Sequence, residues 1–257
     1  MTFKDDLYSR YLSTHLRHRK GDPSLEDFKR RAADYRRRLK RLLPSDESIR
    51  LIDVGCGSGH LVWWLQNEGY TNAEGIDLSP ELIEAAVRLG VRNVKVADLR
   101  VYLNEEAKLG KYQAIVLRDV LEHFHRDEIL SILELCLGCL SPGGILLLQV
   151  PNAESPFFGR IRYGDFTHEV AFTTTSMAQV LDAVGLGNPR FFPVGPLPGL
   201  RPKQLARYLV WKCVEGLYKF LLLAELGRGS RIVTQDILAV AAKQIGTLRD
   251  GRGQLQE

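Results

Sequence analysis

Cysteine is scarce in this chain. Four in 257 residues are too few for a disulfide framework and point to a reducing compartment. Long apolar runs are also missing. None approaches the roughly 18 residues of a membrane-spanning helix, and residues 1–20 are charged throughout, so neither a transmembrane span nor a signal peptide is expected. There is little excess of either charge: the net value is +4, with 26% charged and 45% hydrophobic residues, the balance of a soluble globular protein. Internal repeats and low-complexity segments are absent. The expectation is a cytoplasmic protein of one large α/β domain with additions.

A third glycine is missing where a dinucleotide fingerprint would need it. The stretch Leu51-Ile52-Asp53-Val54-Gly55-Cys56-Gly57-Ser58-Gly59-His60 reads strand, tight loop, helix. Its spacing is G-x-G-x-G, and His60 stands where G-x-G-x-x-G would carry its last glycine. Glycine suits such a loop because it tolerates unusual φ values and lets a ligand approach the backbone. The helix that follows offers free N–H groups. Further strands are expected at Ala73–Leu78, Asn93–Ala97, Gln113–Leu117, Ile145–Val150, Arg190–Val194 and Ile232–Ala241. The helices between them are expected after Ser79-Pro80 (serine as cap), from His123 to about Leu140, over Ser176–Val184 and over Lys203–Leu226. Ser141-Pro142-Gly143-Gly144 reads as a turn into the fifth strand.

At the glycine loop the chain resembles the class I S-adenosylmethionine (SAM)-dependent methyltransferases. Their first motif, apolar-Asp-apolar-Gly-Cys-Gly-x-Gly, is matched by Asp53, Gly55, Cys56, Gly57 and Gly59. The resemblance implies a Rossmann-like, seven-stranded, mostly parallel sheet with helices on both faces. SAM is the implied cofactor. Ligands of such sheets bind beyond the carboxyl ends of the strands, where three acids stand in succession. Asp53 fixes the loop or meets the amino-acid part of SAM. Asp77, with Leu78 after it, can accept both ribose hydroxyls. Asp98 can accept from the adenine amine while Leu99 offers its N–H. Three acids suit a nucleoside with a cationic sulfonium and would repel a phosphate-rich ligand. Leu117–Phe124 resembles the family's post-strand motif, which places Asp119 with the cofactor and His123 beside the reacting methyl.

Tyr163-Gly164-Asp165-Phe166-Thr167-His168-Glu169 follows the fifth strand, where substrate-covering segments sit. Transfer to a hydroxyl needs a positioned nucleophile and a base. His168 is the preferred base, with Asp165 or Glu169 as candidates to hold its tautomer. Together with Gln149–Pro156 and Glu169–Thr173, this segment resembles methyltransferases of bacterial surface-polysaccharide biosynthesis. The implied reaction is O-methylation of a sugar or glycan intermediate, with a sugar, nucleotide sugar or lipid-linked glycan as acceptor. The alternative is a lipophilic quinone or lipid, whose methyltransferases share the Glu122-His123 pattern and in some cases use a divalent metal there. No metal is expected in this chain, and Cys136-x-x-Cys139, on an apolar helix without further ligands, reads as a buried pair.

Residues 1–44 are expected to form an N-terminal helical cap. They begin with an aromatic and charged stretch (Tyr8, Tyr11, His15, His18) that ends in Gly21-Asp22-Pro23. A helix then starts from a capping box at Ser24 and Asp27, with Leu25, Phe28, Ala32, Tyr35, Leu39 and Leu42 at helical spacing. Its other face (Lys29, Arg30, Arg31, Arg36, Arg37, Arg38, Lys40 and Arg41) is either solvated or meets phosphates or an anionic membrane. Residues 45–257 form the methyltransferase domain, with a helical insertion at about 200–228. Helix 203–226 has a narrow polar face (Lys212, Glu215, Lys219) and a broad apolar one. It packs on the sheet, forms a homodimer interface, or lies on a bilayer as a peripheral contact. No nucleic-acid partner is expected, because the Asn-Pro-Pro-aromatic motif of amino-methylating DNA enzymes is absent: the chain reads Pro151-Asn152-Ala153 there. A SAM-binding protein without catalysis is the remaining alternative.

Overall fold

The computed structural model describes residues 7–8, 10–13, 22–106, 110–199, 201–227 and 232–244. His15, His18, Gly21 and both edges of the expected insertion (200 and 228) lie outside the described residues. In chain order the elements are α1 (Leu25–Arg38), β1 (Leu51–Val54), α2 (His60–Asn67), β2 (Ala73–Asp77), α3 (Pro80–Arg88), β3 (Val94–Val96), α4 (Leu99–Glu106) and β4 (Tyr112–Arg118). After them come a 3-10 turn (Leu121–His123), α5 (Arg126–Cys139), β5 (Leu140–Pro151), α6 (Phe158–Arg162), α7 (Thr174–Ala183), β6 (Leu186–Val194), α8 (Pro202–Leu226) and β7 (Asp236–Lys243). The seven strands form one sheet in the order β3-β2-β1-β4-β5-β7-β6. β1 to β5 run parallel, and β7 enters antiparallel between β5 and β6.

The central strands are apolar on both sides because helices cover both faces; all four residues of β1 are buried. One face packs on α4, α5 and α7 through Leu103, Ile132, Leu133 and Leu181. The other packs on α1 and α2 through Tyr35, Trp64 and Leu65. α1 therefore shares the core of the sheet. It starts as its spacing implies: Ser24 Oγ accepts from the Asp27 N–H at 3.2 Å and donates to the Asp27 carboxylate at 2.7 Å. It ends four residues before Leu42, whose burial continues in the following turns together with Leu39 and Leu43.

Several boundaries differ from the sequence expectation, among them the start of β6, at Leu186 and not Arg190. Ser141–Gly144 is an irregularity within β5, where the pairing steps from Tyr112↔Leu140 to Ala114↔Ile145. The helix expected from His123 starts three residues later, at Arg126, after the 3-10 turn. β7 starts at Asp236, because the Asn152 side-chain amide donates to the carbonyls of Ile232 (3.0 Å) and Thr234 (2.8 Å).

Candidate active site

The glycine loop between β1 and α2 crosses the carboxyl end of the sheet with φ of +74° at Gly55, +56° at Gly57 and +78° at Gly59. The three do different jobs. A Cβ on Gly55 would stand 2.4 Å from Val120 Cγ2, whereas one on Gly57 would meet nothing within 4 Å. Gly59 would press on Val91 at 3.0 Å, so it serves helix packing. Gly55 and Gly57 line a cavity of about 920 Å³ together with Asp77, Leu78, Asp98, Leu99, Asp119, His123 and His168. Gly59 does not line it, and Cys56 lines the smaller cavity beside it. Cys56 is buried behind the loop against Gly75, where a Cβ would lie 2.9 Å from its sulfur.

Asp77 holds the loop as well as facing the cavity. Its carboxylate accepts from the Gly57 N–H at 2.8 Å and the Ser79 N–H at 2.9 Å. Burial raises its pKa while these backbone bonds oppose the rise. Ser79 sits at the N-terminus of α3 without a side-chain capping bond, contrary to expectation, and its buried Oγ has no partner among the described residues. Asp98 accepts from the Arg100 N–H at 2.7 Å. Asp53 is buried and faces a smaller cavity of about 190 Å³, which shares Gly55, Gly57 and Asp119 with the larger one. Burial lifts its carboxyl to about 7, against the pull of Arg118.

Arg118, which carried no assignment from the sequence, is the buried cation of this layer. Its guanidinium donates to Gln149 Oε1 at 3.1 Å and stands 4.8 Å from the Tyr35 ring centroid. Burial opposes its charge, and the neighbouring Tyr35, Asp119 and Asp53 together outweigh that and favour the ionised form. Asp119 has φ +59°, a left-handed conformation uncommon outside glycine. It is tied to β5 by its own N–H to the Gln149 carbonyl (2.9 Å) and by the Gln149 amide to its Oδ1 (3.0 Å). Asp236, at the start of β7, also lines the cavity, and burial raises it to about 7.

His123 and His168 meet edge to face with ring centroids 4.8 Å apart. His123 Nδ1 lies 2.8 Å from Thr167 Oγ1, and burial pushes this imidazole down to about 4. His168 Nδ1 donates to the Ile161 carbonyl at 3.1 Å. A carbonyl can only accept, so the neutral ring keeps its lone pair on Nε2. Burial lowers the pKa of His168 too. Neither acid expected to fix its tautomer does so. Asp165 instead accepts from the N–H (2.9 Å) and hydroxyl (2.7 Å) of Thr167 and from the Tyr11 hydroxyl. Glu169 reaches His125, 3.7 Å away.

The amino-terminal segment also forms part of the site. Tyr8 and Tyr11 line the cavity, and the Tyr8 ring stands 5.9 Å from that of His123. Leu12 is buried against Leu82 and Ala85, and Ser13 donates twice to the Glu81 carboxylate at 3.0 Å. Spacing along the chain held no signal for this fold-over.

The cradle fits an adenosyl sulfonium: the space above Gly57 is open, acids end β2 and precede α4, and Ser79 leaves a buried hydroxyl unpartnered. Glu122, His123 and His168 each present a ligating atom, all within 4.8 Å of one another, and Glu122 Oε2 is buried without a partner among the described residues. No metal was expected, yet this donor set can take a divalent cation. The cysteines of α5 are buried and form no disulfide, with Cys139 Sγ donating to the Leu103 carbonyl at 3.2 Å.

Residues 28–188 match a family model described as a methyltransferase domain. A ubiquinone biosynthesis O-methyltransferase of Xanthomonas campestris pv. campestris is 33% identical over 112 residues, 42% of this chain and 46% of the relative. The match thus spans about half the length of that relative. Among solved structures, a SAM-dependent methyltransferase from Archaeoglobus fulgidus superposes with a TM-score of 0.62 at 20% identity, covering 85% of this chain and 98% of the other. Phosphoethanolamine N-methyltransferase 2 of Haemonchus contortus, in complex with SAM, superposes with a TM-score of 0.61 at 15% identity, covering 95% and 60%. At these identities the superpositions show a common fold.

Proposed function

The chain belongs to the SAM-dependent methyltransferase-domain family, and from that premise we propose that it methylates a hydroxyl of a small, uncharged acceptor with His168 as the base. When bound, SAM supplies a methyl group on a cationic sulfur. The residues that would hold it are Asp77 and Leu78 at the ribose, Asp98 and Leu99 at the adenine, and Gly55, Gly57, Asp53 and Asp119 around the amino-acid part. The observation that carries the base assignment is the Ile161 carbonyl on His168 Nδ1. It leaves Nε2 as the one nitrogen able to take the acceptor's proton, and the lowered pKa keeps it unprotonated at neutral pH. His123, at about 4, is the weaker base and serves to position His168.

Among the described residues the wall carries Asp77, Asp98, Asp119, Glu122, Glu128, Asp165 and Asp236 against one arginine, Arg100. That field favours a neutral acceptor over a nucleotide diphosphate. A sugar or glycan hydroxyl is supported by the resemblance of residues 149–173. A lipophilic quinol is the second reading, supported by the name of the Xanthomonas relative. Transfer to nucleic acid is not favoured, since much of the basic face of α1 is engaged within the protein: Arg36 with Glu68, Arg38 with Asp34, and Arg37 with the Pro198 carbonyl.

Labelled SAM offered with a panel of sugars, lipid-linked glycans and quinols tests the reading. One acceptor should gain label, and His168→Ala should lower turnover by about 10²–10⁴-fold with SAM affinity kept. A chelator should leave turnover unchanged; its loss would assign His123 and His168 to a metal instead. SAM binding with no labelled product across the panel would favour the non-catalytic alternative.

A further inference from the structure

Helix α8 is built inside out. The side turned to the body of the protein carries Glu215, buried and held by Lys212 and Lys219, with half-buried Tyr208, Trp211 and Tyr218. The side turned away carries Leu209, Val210, Leu217, Phe220, Leu221 and Leu223, between 51% and 65% exposed. A helix that stabilised its own domain would show the reverse arrangement. The helix has 25 residues, and its apolar face from Leu209 to Leu223 runs for about 21 Å; an exposed patch of that size marks a partner or a membrane.

We propose that α8 lies in the plane of an anionic lipid surface with its apolar side down. Charge selects this occupant. Three cations, Arg201, Lys203 and Arg207, stand at the amino-terminal end of α8 with no acid before Glu215, which is buried and paired with Lys212 and Lys219; the other acid of the helix, Glu225, lies in its last turn. Basic residues bordering an apolar face reach for lipid headgroups while their stems lie along the interface. No described helix is long and apolar enough to cross a membrane, so the helix rests on the surface.

The inward side of α8 meets the segment that walls the cavity. The Trp211 ring stands 6.2 Å from that of Phe157, just before α6. Beyond it, the segment that turns Ile161, Asp165 and His168 inward leaves Tyr163 and Phe166 about four-fifths exposed (80% and 82%). With α8 docked, this exposed segment would lie near the lipid, and a lipid-borne acceptor would enter from there. That last step rests on the proposed methyl transfer; the docking does not.

Flotation of the full chain with vesicles decides. The protein should float with phosphatidylcholine vesicles containing phosphatidylglycerol and remain behind with phosphatidylcholine alone. Lys203→Ala and Arg207→Ala should each weaken binding roughly fivefold. The double variant Leu217→Glu/Phe220→Glu should abolish flotation while melting temperature, SAM affinity and turnover of a water-soluble acceptor stay as in the wild type. Four results would overturn the proposal: a wild type that never floats, a double variant that still floats, a double variant that unfolds, or a wild-type dimer that the double variant splits without any vesicle binding. Retained turnover without flotation sinks the docking and spares the chemistry, and flotation without turnover does the opposite.

Discussion

Gly57→Ala and Gly55→Ala separate the two demands on the loop. Both residues have positive φ, so alanine costs about 1–2 kcal/mol of stability at either position. At Gly57 that strain is the whole penalty in the free protein, because its Cβ would touch nothing within 4 Å. Melting should fall by roughly 2–8 °C in a chain of this size. The added methyl projects where SAM is to lie, so the overpacking cost of about 1–3 kcal/mol appears in binding, as a rise in SAM Kd of roughly 5- to 150-fold. Gly55→Ala adds a clash with Val120 Cγ2 at 2.4 Å, for a total stability loss of about 2–5 kcal/mol. Val120→Ala in the same chain should return part of it, since the two sites share one contact. Thermal melts and titration calorimetry read both quantities. Gly57→Ala with wild-type affinity for SAM would refute the placement of the ligand over the loop.

The remaining predictions concern protons. If His168 is the base, kcat/KM should rise with pH through an inflection below the usual histidine pKa of about 6.5, since burial lowers the group. His168→Gln should flatten the profile, and an inflection above neutrality would contradict the assignment. Asp53 titrates at about 7 in the folded chain and near ~3.9 when unfolded. The folded state binds the extra proton between these values, so its stability is greatest in acid and falls as pH rises toward 7. Denaturant melts should therefore show Asp53→Asn gaining on the wild type from pH 5 to pH 8, by roughly 2.5 kcal/mol. An equal difference at both pH values would rule out a buried neutral Asp53.

Much of the sheet was legible because its signals are local. Apolar runs ending in Asp53 and Asp77, and a fourth run leading to Asp119, mark strand ends whatever the rest of the chain does. The long helix was legible by period, but the direction of its apolar face was not, since amphipathicity says nothing about which side meets protein. Boundaries failed where a distant side chain takes over backbone bonds, as Asn152 does at Ile232 and Thr234. Site residues failed for the same reason. Arg118 sits at the end of an apolar strand, and only the packing of α1 and β1 brings Tyr35 and Asp53 beside it. Tyr8 and Tyr11 reach the cavity by folding back over more than 100 residues of sequence. Ile161 carries no chemical signal at all, because it acts through a backbone carbonyl.

Calorimetric titration of the wild-type chain with SAM, S-adenosylhomocysteine, NAD and ATP addresses the cradle itself. Saturable binding of both sulfur ligands at one site per chain, with no heat from NAD or ATP, is the expected result. Tight binding of NAD or ATP with silence from SAM would contradict it.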